Sequence, residues 1–200
     1  KLGFRIYKGF SLWLSGSQGV LRREGDEWLT LYDQPASGIL GEDAIGRIWV
    51  LLDDGNAIAS WRDGDWNVYG LENGWQPFEP GRYLLQDFGD GIVIDEQGRL
   101  WLATGRNDLR RLNPDNGQWS SLSAPQIGFA PPRDEWYQGH FLTDVALSGS
   151  GKVWVSNCIG MGEGLAGEGI QRYDGEKWLS TTFTADDCIY DMEVGERGVM

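Results

Sequence analysis

Hydrophobic residues in this chain come in short alternating runs of strand period, bounded by Gly, Asp, Asn and Ser. Ile92-Val93-Ile94 and Val145-Ala146-Leu147 are such runs, and each leads through a polar turn into a second run built around a Trp. That second run recurs as Leu12-Trp13-Leu14, Ile48-Trp49-Val50, Leu100-Trp101-Leu102 and Val153-Trp154-Val155, with the tryptophans 36, 52 and 53 residues apart. Gly46, Gly98 and Gly151 stand three residues before their tryptophans, after polar turns; in the first copy Gly9 is displaced by one position. A second module follows each Trp run: Gly19 to Arg22 then Glu24 to Trp28, Asn56 to Ala59 then Arg62 to Trp66, Leu109 to Leu112 then Asp115 to Trp119, and Gly169 to Arg172 then Asp174 to Trp178.

Each unit therefore predicts four antiparallel strands: an inner strand, the Trp strand, an Arg-bearing strand, an Asp/Asn-Gly hairpin and a last strand opened by Trp. Four strands in about 40 to 50 residues is the size of one β-propeller blade. The expected architecture is all-β, with units at about 1–32, 39–70, 88–122 and 141–183 and the start of a fifth at 188–200. Because 188–200 restates an inner strand, a turn and the lead-in to a Trp strand, the chain is read as a piece of a longer propeller whose other blades lie outside it. The alternative is that Ile189 to Val194 pairs with the first unit and closes a four-bladed ring.

Composition sharpens this picture. Thirty Gly and 11 Trp in 200 residues fit many tight turns and repeated aromatic anchors. The net charge of −13 repels phosphate backbones, so nucleic acid is not an expected partner. The longest apolar run, Ile48 to Leu52, is far short of the roughly 20 residues a spanning helix needs, so no membrane insertion is expected in this segment. The chain opens at Lys1 with neither an initiator Met nor an apolar leader, which leaves localisation to other evidence.

The segments Asp95-Glu96-Gln97-Gly98-Arg99-Leu100-Trp101-Leu102-Ala103-Thr104 and Gly169-Ile170-Gln171-Arg172-Tyr173-Asp174-Gly175-Glu176-Lys177-Trp178 resemble the two-component regulator propeller repeat. That repeat runs Asp-x-x-Gly-x-Leu-Trp-(Ile/Val)-(Gly/Ala)-Thr, then Gly-(Leu/Ile)-x-Arg-(Phe/Tyr)-Asp-Gly-x-x-Trp. The resemblance covers nearly the whole chain and departs from the pattern in the first unit, at Ile58 and in two long insertions. It implies a β-propeller, commonly of seven blades, on the extracellular or periplasmic side of bacterial sensor or surface proteins, and noncatalytic. The expected function is thus a binding or sensory module for a glycan, peptide or protein; a structural or adhesive surface scaffold is the alternative. A second alternative is the similar streptogramin lyase-like propeller enzyme, whose chemistry is an elimination assisted by a His base and a metal. This chain contains a single His, at 140.

Trp49, Trp101 and Trp154 recur at a fixed place and are expected as core wedges between blades. Asp63-Gly64, Asn116-Gly117 and Asp174-Gly175 are expected as hairpin turns without calcium, and the Gly-rich 160–169 segment as a flexible loop without nucleotide. No catalytic constellation, metal site or cofactor is expected. The loops that join strands two and three, and consecutive blades, share one face, and only these are long. The candidate ligand-binding residues lie there: Trp75, Arg82 and Tyr83 in the 71–88 loop, and Arg133, Trp136, Tyr137 and His140 in the 121–141 loop, with the aromatic rings expected in solvent. Cys158 ends a Trp strand and Cys188 opens the next inner strand, which brings both to the same face in neighbouring blades. A disulfide of about 3 kcal/mol is expected there, with two buried thiols as the alternative.

Overall fold

The computed structural model describes residues 3–7, 11–43, 45–77, 92–104, 108–113, 115–130, 137–161, 164–181, 187–192, 194–195 and 198–199. The chain divides into two compact units, Lys1–Arg82 and Tyr83–Met200. In the first, β1 (Gly3–Tyr7), β2 (Ser11–Gly16), β3 (Gly19–Glu24) and β4 (Glu27–Tyr32) form one antiparallel sheet in chain order. A second sheet of the same kind holds β5 (Ala36–Glu42), β6 (Ile48–Leu52), β7 (Ala57–Arg62) and β8 (Asp65–Tyr69).

The second unit repeats the plan with β9 (Ile92–Ile94), β10 (Leu100–Ala103), β11 (Asp108–Asn113) and β12 (Gln118–Ser123), then β13 (Tyr137–Leu147), β14 (Val153–Met161), β15 (Gly164–Tyr173) and β16 (Trp178–Ser180). A small hairpin of β17 (Val194–Gly195) and β18 (Gly198–Val199) follows. Among the described residues no α-helix occurs, and no helix is long and apolar enough to cross a membrane. The four four-stranded sheets are the four blades that the repeat predicts.

The repeated tryptophans occupy equivalent places on each second strand. Trp13 pairs with Arg5 and Arg22, Trp49 with Gly41 and Ser60, Trp101 with Val93 and Arg111, and Trp154 with Ala146 and Arg172. Within the first unit Trp13 packs with Ile39, Val50 and Leu52, so it joins blade one to blade two. Within the second unit Trp101 packs with Leu142, Val145 and Val155, joining blade three to blade four. Burial of such large rings dominates the apolar contribution to these interfaces.

In blades two and three the polar turn before the Trp is a clamp closed by one carboxylate. In blade two Asp43 Oδ1 accepts the backbone N–H groups of Ile45 and Arg47, both at 3.0 Å, while Oδ2 accepts Arg47 Nε and Trp49 Nε1, both at 2.7 Å. Blade three repeats it: Asp95 Oδ1 accepts Gln97 N at 3.0 Å and Arg99 N at 2.9 Å, and Oδ2 accepts Arg99 Nε at 2.6 Å and Trp101 Nε1 at 2.7 Å. Gly46 and Gly98 supply the positive φ, 82° and 74°, that turns the chain back toward the strand.

Two expectations are corrected in the second unit. The described parts of the Gly-rich segment, 160–161 and 164–169, are no flexible loop; they are the far end of a β14–β15 ribbon, with Gly160 opposite Leu165 and Met161 opposite Gly164. Extended glycines pair here without side-chain crowding, so the strands run on past the point where blades two and three end. Residues 187–192 are not an inner strand, because their backbone groups are taken by side chains of blade four. The Ile189 carbonyl accepts the hydroxyls of Thr143 at 2.5 Å and Ser156 at 3.2 Å, and Asp144 Oδ2 accepts the Met192 N–H at 2.7 Å. Cys158 and Cys188 form a disulfide at the start of this segment, with a Cα separation of 5.3 Å.

Candidate functional site

Blade four departs from the others in length. Its first three strands have 11, 9 and 10 residues, whereas among the described residues no strand of the other blades exceeds 7. Three register shifts accompany the extension, between Tyr137 and Gly139, between Leu142 and Asp144, and where Asn157 and Cys158 pair with Gly169 and Gly167. The last shift leaves Glu168 unpaired between two glycines. Bulges of this kind re-aim side chains.

The re-aimed carboxylate completes a polar cluster drawn from three adjacent strands. His140 on β13, Asn157 on β14 and Glu168 on β15 meet on one face of the blade. His140 Nδ1 lies 2.8 Å from Asn157 Nδ2 and 3.1 Å from Glu168 Oε2, and the Asn157 amide also donates to that carboxylate. His140 and Asn157 are 2% and 1% exposed, which removes competing water from these bonds. Asn157 Oδ1 is buried with no hydrogen-bond partner among the described residues. The arrangement locks the register of three strands at the base of the ribbon and holds an imidazole in a fixed orientation.

A second, half-buried network closes the end of blade three. Asp108 accepts Arg110 Nε at 3.0 Å, the Ser121 hydroxyl at 2.7 Å and the Thr104 hydroxyl at 2.8 Å, and Arg110 is 5% exposed. Burial raises the Asp108 pKa, but the Arg110 charge and the bonds from Ser121, Thr104 and Arg110 together outweigh it, so the carboxyl sits below its ordinary range. A depressed folded-state pKa contributes stability above the unfolded value that is lost as the pH falls through the folded one. Acid denaturation followed from about pH 5 downward is therefore expected to be less steep for Asp108→Asn than for the parent. Parallel curves would show that Asp108 does not contribute.

The expected ligand-binding residues fare differently. Trp75 is corrected: it is fully buried, not presented to solvent, and its Nε1 donates to the Gly55 carbonyl at 3.0 Å. The reason is a local device that recurs. A 3-10 turn at Leu71–Asn73 ends at Gly74 with φ 75°, and Trp75 folds back so that its N–H reaches the Gly70 carbonyl. In the second unit a 3-10 turn at Ala124–Ile127 ends at Gly128 with φ 100°, and Phe129 folds back onto the Ala124 carbonyl, 3% exposed in the core. Both aromatics are anchors of connectors and not a recognition surface. Arg82, Tyr83, Arg133 and Trp136 lie outside the described residues. Tyr137 begins β13 opposite Met161, and His140, placed by sequence in a loop, is in that strand and buried. Asn157 and Glu168 were not singled out by sequence reasoning. Gly167-Glu168-Gly169 inside a strand-like run is the one bulge signal that points to them.

No protein-family model matches the chain, and no curated protein sequence does. Among solved structures the chain is similar to virginiamycin B lyase from Staphylococcus aureus, at 12% identity and a TM-score of 0.52 over 99% of this chain and 68% of that one. It is similar also to the extracellular domain of a putative one-component system from B. thetaiotaomicron, at 14% identity and a TM-score of 0.55, covering 98% of this chain and 26% of that one. A third likeness is to YCF48 from Cyanidioschyzon merolae, at 14% identity and a TM-score of 0.53, covering 93% of this chain and 58% of that one. The chain thus spans about a quarter of that extracellular domain and under two thirds of YCF48. At these identities the likeness is one of fold, and the fold is the β-propeller.

Proposed function

We propose that this chain belongs to an extracytoplasmic propeller that recognises a ligand without transforming it, with the blade-four ribbon as the contact element. The observation that supports the reading is the extension of three strands in blade four, unmatched among the described residues of the other blades and braced at its base by His140, Asn157 and Glu168. A scaffold blade gains nothing from such length, whereas a contact element held rigid loses less conformational entropy on binding. The disulfide and the likeness to the extracellular domain of a putative one-component system agree with an oxidising location outside the cytoplasm. Glycan, peptide and protein ligands all suit the proposal.

The test is a glycan and peptide array probed with the purified chain, followed by titration of any hit. Saturable binding is expected, and shortening the ribbon by removing 160–165 is expected to abolish it while blades one to three stay folded. Binding unaffected by that deletion would move the site elsewhere, and the absence of any binding would favour a structural scaffold. The His140–Glu168 pair supports a second reading, a lyase-like enzyme. An elimination activity lost in His140→Ala would favour that one instead.

A further inference from the structure

We propose that blade four is completed by oxidation: the Cys158–Cys188 disulfide performs there the task that a buried carboxylate performs in blades two and three. The observation is a missing clamp. Blade four keeps the turn, with the Ser148 N–H on the Lys152 carbonyl at 2.9 Å and the Gly151 N–H on the Ser148 carbonyl at 2.8 Å, matching the turns at Asp43 and Asp95. Ser148 replaces the carboxylate and Lys152 the Arg. The Ser148 hydroxyl accepts the Lys152 N–H, at 3.0 Å, one of the two kinds of backbone N–H that Oδ1 takes in blades two and three, and it pairs with the Ser150 hydroxyl. Nothing replaces Oδ2. Trp154 Nε1 is accordingly buried without a hydrogen-bond partner among the described residues, while Lys152 Nζ turns away to the Asp174 carbonyl.

The unclamped Trp154 is covered by the Arg172 guanidinium, 5.6 Å from its ring centroid, and by the segment that the disulfide tethers. Met192 and Ile189 pack with Trp154, Ala146 and Ile170 in a cluster separate from the core joining blades three and four. Cys188, Ile189 and Met192 are fastened to β13 and β14 by the disulfide, by the Thr143 and Ser156 hydroxyls and by Asp144. One covalent bond and three hydrogen bonds thus hold an apolar cover over the strand that blades two and three hold from within. Without the bond, the cover loses the constraint that sets its register, and the orphaned indole N–H becomes open to water.

The redox step is ordinary thiol–disulfide exchange. Cys158 is fully buried and Cys188 is not, so a dithiol reductant attacks at the Cys188 sulfur. The Cys158 sulfur leaves as thiolate and takes a proton. The reductant's second thiol then displaces Cys188, leaving two cysteine thiols and the cyclic oxidised reductant. The chain passing from a reducing to an oxidising compartment runs this sequence in reverse against a disulfide oxidant, so blade four closes last. This device does not depend on what the ribbon binds.

Hydrogen exchange read by mass spectrometry, with and without dithiothreitol, tests it. On reduction, exchange in β13, β14 and 187–192 is expected to speed up at least about tenfold, with β6 and β10 changed by less than about twofold. The double variant Cys158→Ser with Cys188→Ser, in the absence of reductant, is expected to reproduce the pattern. Ser148→Asp is expected to restore most of the protection in reduced protein by giving Trp154 Nε1 its acceptor. Unchanged exchange on reduction, loosening of blades two and three to the same extent as blade four, or a Ser148→Asp variant as sensitive to reductant as the parent would each overturn the proposal.

Discussion

Asp95→Ala is expected to lower unfolding free energy by about 3 to 5 kcal/mol, a loss large enough to unfold a domain of marginal stability. The side chain is 1% exposed and its two oxygens take four hydrogen bonds, two from backbone, one from Arg99 and one from Trp101. Truncation leaves the buried indole N–H without an acceptor, at about 1 to 3 kcal/mol, and leaves the Arg99 guanidinium without its anion. That cation keeps a place against the Trp101 and Tyr173 rings, at 5.5 and 5.3 Å, which limits but does not remove the penalty. Asp43→Ala is expected to cost a similar amount in the first unit. Ser148→Ala, where no indole bond exists to lose, is expected to cost under about 1 kcal/mol. Urea unfolding of the three variants checks the ranking; three equal losses would mean that the clamp adds nothing beyond side-chain volume.

Trp75→Ala is expected to cost about 3 to 5 kcal/mol of stability and to leave the affinity of the folded fraction unchanged. The ring is fully buried, so truncation creates a cavity as well as removing the bond to the Gly55 carbonyl. Trp75→Phe keeps most of the apolar burial and gives up that bond, so a loss of about 1 kcal/mol beyond the change in volume is expected. Thermal unfolding measures both. A Trp75→Ala protein of parental stability with weakened ligand binding would return this residue to the recognition surface. The contrast with a ribbon deletion, which is expected to lose binding while blades one to three stay folded, separates the two roles.

Strand number and order follow from period-2 alternation, Gly turns and the recurring Trp, since each depends on near neighbours in the chain. The same local logic makes Asp63-Gly64 a hairpin turn, with φ of 52° and 99° at its two residues. The clamp was half legible: the spacing of Asp, Gly and Trp recurs at Asp43 and Asp95, but that one carboxylate oxygen serves both Arg and Trp is a fact of three dimensions. The candidate site was hardly legible. Aromatics in long connectors look alike whether they face solvent or core, and only the 3-10 turns ending at Gly74 and Gly128 fold Trp75 and Phe129 inward. Likewise His140, Asn157 and Glu168 lie 17 and 11 residues apart, and no periodicity announces their meeting. A β-bulge at Glu168 and the cross-strand registers of β13, β14 and β15 decide it, because a single residue's shift turns a side chain to the opposite face of a sheet.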